Sequence, residues 1–90
     1  MKSSRMNYLI AGNESKQRVE LLLSLTKITS DQVKDSITDH LCAGYSQRDA
    51  VILNGVTQSN FTRAMRTLND VACIVEKIKA LDWQHIKSVK

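Results

Sequence analysis

The chain has 90 residues, 13 Lys and Arg against 9 Asp and Glu for a formal charge of +4, with 42% hydrophobic and 24% charged residues. That length sets one small domain, residues 1–90, and that balance excludes a disordered or collagen-like chain. No apolar run approaches the roughly 20 residues that span a bilayer, and Met6 to Gly12 is too short and polar for a secretory signal, so a cytoplasmic protein is expected.

Proline is absent, glycine occurs only at 12, 44 and 55, and apolar residues recur three and four apart instead of alternating. An all-α fold follows: a small bundle of about four to five helices with a long C-terminal helix. Residues 1–12, with Lys2, Arg5, Tyr8, Leu9 and Ile10, show no periodicity and read as a mobile or partner-docked arm. A first helix is predicted after Asn13 as cap, through Val19, Leu22 and Leu23 to about Leu25, with Leu21 widening the apolar stripe. Thr29 to Gln32 has capping-box spacing, with Ser30 as a competing cap, and Val33, Ile37 and Leu41 follow on one face until Gly44 closes the helix.

Ser46 caps a short helix, Gln47 to Leu53, that places Ala50 and Leu53 inward. Asn54-Gly55 breaks the chain, Val56 is a buried link, and Thr57 caps the next start. Phe61, Ala64, Met65, Leu68, Val71, Ala72, Val75 and Ile78 then recur at helical spacing, as one long helix or as two meeting at Asn69-Asp70. Cys42 and Cys73 are far apart and read as reduced, small core residues.

A helix of about eight residues, a turn with glycine and a second helix opened by threonine is the layout of a helix-turn-helix, here over residues 46–68. The small Ala50 suits the helix crossing, and Val56, Phe61 and Met65 would lock the second helix in rotation, with a turn about one residue longer than the tightest form. If Phe61, Met65 and Leu68 face inward, the 100° helical step turns Ser59, Thr62, Arg63 and Arg66 to solvent, with Gln58 at the exposed amino end. Arginine can pair with guanine or enter a narrow minor groove, glutamine matches adenine, and hydroxyls take phosphate. The alternative for Arg63 and Arg66 is an ordinary solvated helix face. Charge placement favours DNA: residues 44–68 carry Arg48, Arg63 and Arg66 against Asp49, whereas residues 29–43 carry Lys34 against Asp31, Asp35 and Asp39. The positive potential sits on the candidate reading unit, as steering toward DNA requires. Asp70 falls on the same outward face, so the helix should have left the duplex there.

Val71, Ile74, Val75, Ile78 and Leu81 form an apolar face broader than one small core needs, so 71–86 reads as an oligomerisation segment. The lysines beyond it could touch phosphate, and Trp83 reads as an interface or core anchor, since one aromatic is no base-stacking platform. Catalysis and metal binding find little support. His40 and Cys42 point apart on a helix, no second ligand pair follows, and nothing supports an approach of Cys42 to His85. No enzyme activity, metal or cofactor is expected.

The run Ser30-Asp31, Val33, Ile37, Leu41, Gly44-Tyr45-Ser46, Val56, Phe61, Met65, Leu68 resembles the PapB family of adhesin-biosynthesis (fimbrial operon) transcriptional regulators of enteric bacteria. The likeness covers roughly residues 22 to 75. It implies an all-helical, helix-turn-helix protein that binds repeated A·T-rich sites upstream of fimbrial genes as an oligomer, nucleoid-associated when bound. Gln58, Ser59, Thr62, Arg63 and Arg66 fall in the family's recognition segment, with Arg48 as a further candidate DNA contact. The Asn54-Gly55 turn and the Arg63/Arg66 pair depart from the family's pattern. The expectation is therefore a DNA-binding regulator of a fimbrial operon that forms at least a homodimer. The alternative is a helical interaction module that modulates a related regulator through mixed oligomers.

Overall fold

The computed structural model describes residues 8–88, and the side chains of residues 8–86. Among them it has four helices and no strand: α1 (Lys16–Ser24), α2 (Asp31–Leu41), α3 (Gln47–Asn54) and α4 (Gln58–Ser88). Each helix starts on a hydroxyl side chain. Ser15, Ser30 and Ser46 accept from the N–H groups of Arg18, Val33 and Asp49, and Thr57 Oγ1 accepts from Asn60 N at 3.1 Å. Such a cap satisfies a donor that the helix itself cannot, which stabilises each start by about 1 kcal/mol. Ser30, not Thr29, thus caps α2. Helix α1 starts on Ser15 instead of Asn13, which lies in a turn before it, its N–H donating to Ile10 O.

That turn corrects the expected arm for residues 8–12, while residues 1–7, with Lys2 and Arg5, lie outside the described residues. The end of α2 leaves carbonyls without helical donors, and the turn supplies them: Gly12 N donates to His40 O at 3.1 Å and Glu14 N to Leu41 O at 3.0 Å. Gly12 can approach because it has no Cβ; one built there would lie 3.2 Å from the Cα of Gly44. Docking the turn drives Leu9 into the core, where it is 2% exposed. The left-handed residue Gly44 stands further from the helix than expected, since α2 ends at Leu41 with Cys42 as its cap.

Leu9, Val19, Leu22, Leu23, Ile37, Leu41, Val51, Phe61, Ala64, Leu68 and Ala72 form the core, with Val56, Met65, Val71 and Val75 packed at its edge. Phe61 is fully buried and meets the edge of His40, ring centroids 5.7 Å apart; burying such a side chain contributes about 1.5–3 kcal/mol. His40 Nδ1 bonds Tyr45 O at 2.7 Å, so this histidine is a core strut. Leu21 and Leu25 face solvent. Leu53, expected inside, is exposed, and Val51 is buried beside Ala50 instead. The side chain of Asn54 fixes that rotation, donating to Asp39 Oδ2 and to Ala50 O, both at 2.9 Å.

Helix α3 closes on Gly55 at φ 66°, with Val56 N donating back to Val51 O at 3.0 Å. This six-residue closure needs a left-handed residue, which glycine adopts without a Cβ penalty. The linker is residues 55–57, shorter than expected because α3 runs on through Asn54. Helix α4 passes through Asn69-Asp70 unbroken for 31 residues, about 46 Å at the helical rise. Its first half packs on the core, whereas residues 77–86 are all exposed. Arg18 ties α1 to both neighbours, 2.7 Å from Glu14 and 3.1 Å from Glu76. Among the described residues no helix is long and apolar enough to cross a membrane.

Candidate nucleic-acid interface

The α3–α4 junction presents its polar side chains because the core holds α4 by Phe61, Ala64 and Leu68. With that face inward, helical geometry sends positions 58, 59, 62, 63 and 66 outward. Gln58, Ser59, Thr62, Arg63 and Arg66 are all exposed, and together with Thr57 they line one open surface depression. Five of the six predicted DNA-contacting residues are thus brought together. Arg48 is exposed on α3 but lies outside the depression.

The charges on this face are uncommitted. Among the described residues, Arg48, Arg63 and Arg66 form no ion pair, whereas Arg18 is bound to Glu14 and Glu76. An exposed guanidinium without a carboxylate partner can meet phosphate or a base edge without first breaking a bond. The amino end of α4 adds backbone N–H groups and a positive dipole end, both suited to an anion. The acidic residues expected on α2 lie elsewhere: Asp35 and Asp39 line a groove with Lys16, Glu20, Lys34 and Asn54.

Gln47 was not singled out by the sequence, yet its Oε1 lies 3.5 Å from Gln58 Nε2, which also donates to Thr62 Oγ1 at 3.1 Å. The signal for it was position: each glutamine is the first residue of its helix. Sequence reasoning also missed an apolar patch on the outside of α3, where Tyr45, Ile52 and Leu53 are 45–66% exposed around Asp49.

The expected oligomerisation residues divide. Val71 and Val75 pack against the core edge, whereas Ile74, Ile78 and Leu81 are 57%, 51% and 66% exposed. Trp83 and Ile86 are exposed beyond them, and the side chains of Lys87 and Lys90 lie outside the described residues. Both cysteines are half-buried free thiols. Burial and the Glu14 carboxylate push the Cys42 thiol above its ordinary range. Among the described residues no three His, Cys, Asp or Glu side chains gather as a metal ion would need.

Comparison with known proteins follows the same lines. The sequence model of the PapB family, described as adhesin biosynthesis transcription regulatory protein, matches residues 1–81. Among solved structures, the crystal structure of E. coli FocB at 1.4 Å resolution is similar in fold, with a TM-score of 0.76. Its sequence is 23% identical, over 81% of this chain and 83% of that one. No curated protein sequence matches.

Proposed function

The chain belongs to the PapB family of adhesin biosynthesis transcription regulatory proteins, and we propose that it regulates a bacterial fimbrial operon by binding A·T-rich duplex DNA as an oligomer. The observation that carries this reading is the exposed face of Gln58, Ser59, Thr62, Arg63 and Arg66, whose arginines make no ion pair among the described residues. In this reading α3, the turn and the start of α4 form a helix-turn-helix over residues 46–68. Its second helix enters a groove, and Arg48 approaches the backbone from the first. The protein acts by binding alone, in the cytoplasm on the nucleoid, with neither catalysis nor cofactor.

Association uses the projecting half of α4. A helix end with no core beneath it gains little from propensity alone, and packing Ile74, Ile78 and Leu81 on a second copy supplies the missing burial. Val71 and Val75 extend that surface at the core edge. Two copies would present two reading helices to repeated sites.

The test is a titration of the protein against an A·T-rich fimbrial promoter fragment and a scrambled duplex at several salt concentrations. Preference for the promoter, with log affinity falling steeply in log salt, supports the reading. Weak and equal binding to both overturns it. The exposed apolar stripe on α4 also suits a second reading, a module that forms mixed oligomers with a related regulator. That reading predicts hetero-oligomers that bind the promoter less well than the partner alone.

A further inference from the structure

Resting on the reading above that α4 carries association, we propose that the surface it meets on the second copy is the outer face of α3, so that copies join head to tail. One chain exposes two unlike apolar surfaces. Ile74, Ile78 and Leu81 form a stripe three and four apart on α4, and Ile52 and Leu53 form the other on α3 beside Tyr45. The α3 surface is concave: Tyr45, Asp49, Ile52 and Leu53 line a depression of about 300 Å³, a shape that receives an aliphatic knob from a facing helix. A chain cannot join its own two surfaces. Helix α4 is unbroken from Gln58 to Ser88, and α3 adjoins its start across the 55–57 linker. Ile78 therefore stands about 30 Å along the helix axis from that junction.

Charge selects this pairing over a symmetric one. Asp49 stands in the α3 depression, and its carboxylate has no ion-pair partner among the described residues. On α4, Lys79 is held by Glu76 at 3.3 Å, whereas Lys77, which flanks the stripe, forms no ion pair among the described residues. Docking the stripe in the depression brings a free ammonium to a free carboxylate and covers both surfaces. A two-fold contact of the stripe with itself sets the two Lys77 side chains against each other and leaves the α3 depression in water. Apolar patches of this kind cover about 300–600 Å², less than the roughly 800 Å² per partner of a standard interface. Each contact is therefore weak alone. A heterologous contact leaves one free surface of each kind at the two ends, so it repeats, and copies held on neighbouring DNA sites gain it at high effective concentration.

The experiment is analytical ultracentrifugation of the full chain from micromolar to millimolar concentration. The wild type is compared with Ile52→Asp on α3, Ile78→Asp on α4, and the exchanges Asp49→Lys and Lys77→Asp, singly and together. All four positions are exposed, and thermal melting checks that each variant folds. The wild-type mass should keep rising with concentration and not stop at a dimer. Ile52→Asp and Ile78→Asp should each be monomeric alone, and their equimolar mixture should form a dimer that grows no further, because each retains the surface that the other lacks. Asp49→Lys or Lys77→Asp should weaken association about 5-fold, and the double exchange should recover it. If Ile52→Asp associates like the wild type while Ile78→Asp does not, head-to-tail joining is overturned and association through α4 stands. If both are monomeric and their mixture stays so, the two surfaces do not meet and the proposal fails. If Ile78→Asp associates like the wild type, the α4 reading falls, and this proposal with it. A wild type that is monomeric throughout would leave both surfaces to a protein of different sequence and overturn the pairing of copies.

Discussion

The backbone N–H of Tyr8 donates to Oδ1 of Asn69 at 2.8 Å, joining residues 61 apart in sequence. Asn69 is only 7% exposed in the middle of α4, a costly place for an amide unless it is bonded. The bond fastens the segment before α1 to the helix that also carries the candidate reading face. Asn69→Leu keeps much of the volume but leaves the Tyr8 N–H without its acceptor. A loss of about 1–3 kcal/mol in urea unfolding is expected. A change below about 0.5 kcal/mol would mean that water replaces the asparagine there.

Arg63→Ala and Arg66→Ala should each weaken DNA binding while leaving the melting temperature unchanged, because both side chains are exposed and make no ion pair among the described residues. An arginine on a base edge should cost about 1–3 kcal/mol and relax preference at one position. An arginine on phosphate should lower affinity for all sequences and reduce the salt slope by about one. Unchanged affinity in both variants would move the reading surface off α4.

Ile74→Asp and Ile78→Asp place charge on a stripe that the chain's own core leaves exposed. Fold stability should change little, whereas sedimentation should shift from oligomer to monomer. Variants that sediment like the wild type would exclude this half of α4 as the interface.

The Cys42 thiol is held above its ordinary value of 9.0 by burial first and the Glu14 carboxylate second. The folded chain therefore keeps this proton more tightly than the unfolded one. The resulting stabilisation is complete below pH 9 and is lost as pH rises through the folded-state value. Cys42→Ala should remove that part of the alkaline decline. In the wild type, peptide mapping after iodoacetamide at pH 8 should show Cys42 reacting more slowly in the folded chain than in urea. Equal rates in the two states would contradict the protected thiol.

Chemistry that acts over a single helical turn is legible in the residues themselves. Ser30, Ser46 and Thr57 announce helix starts because a hydroxyl reaches a donor only three residues away, and Gly55 announces the left-handed closure of α3. The exposure of Gln58, Ser59, Thr62, Arg63 and Arg66 followed from helical step and apolar spacing alone, since Phe61, Ala64 and Leu68 leave α4 one way to face the core.

What the tertiary structure decided depends on partners distant in the chain. Leu9 is buried because the carbonyls that end α2 needed the N–H groups of Gly12 and Glu14. Leu53 is outside and Val51 inside in the rotation of α3 that also lets Asn54 reach Asp39 on another helix, a partner 15 residues away. Gln47 and Gln58 lie side by side only because the α3–α4 turn brings the two helix starts together, 11 residues apart in sequence. The sequence by itself determined the helices and the face α4 shows to solvent, since both rest on neighbours within one or two turns. The docking of the amino-terminal turn, the rotation of α3 and the pairing of the two glutamines were decided by packing between elements, where hydrogen bonds and burial compete over the whole fold.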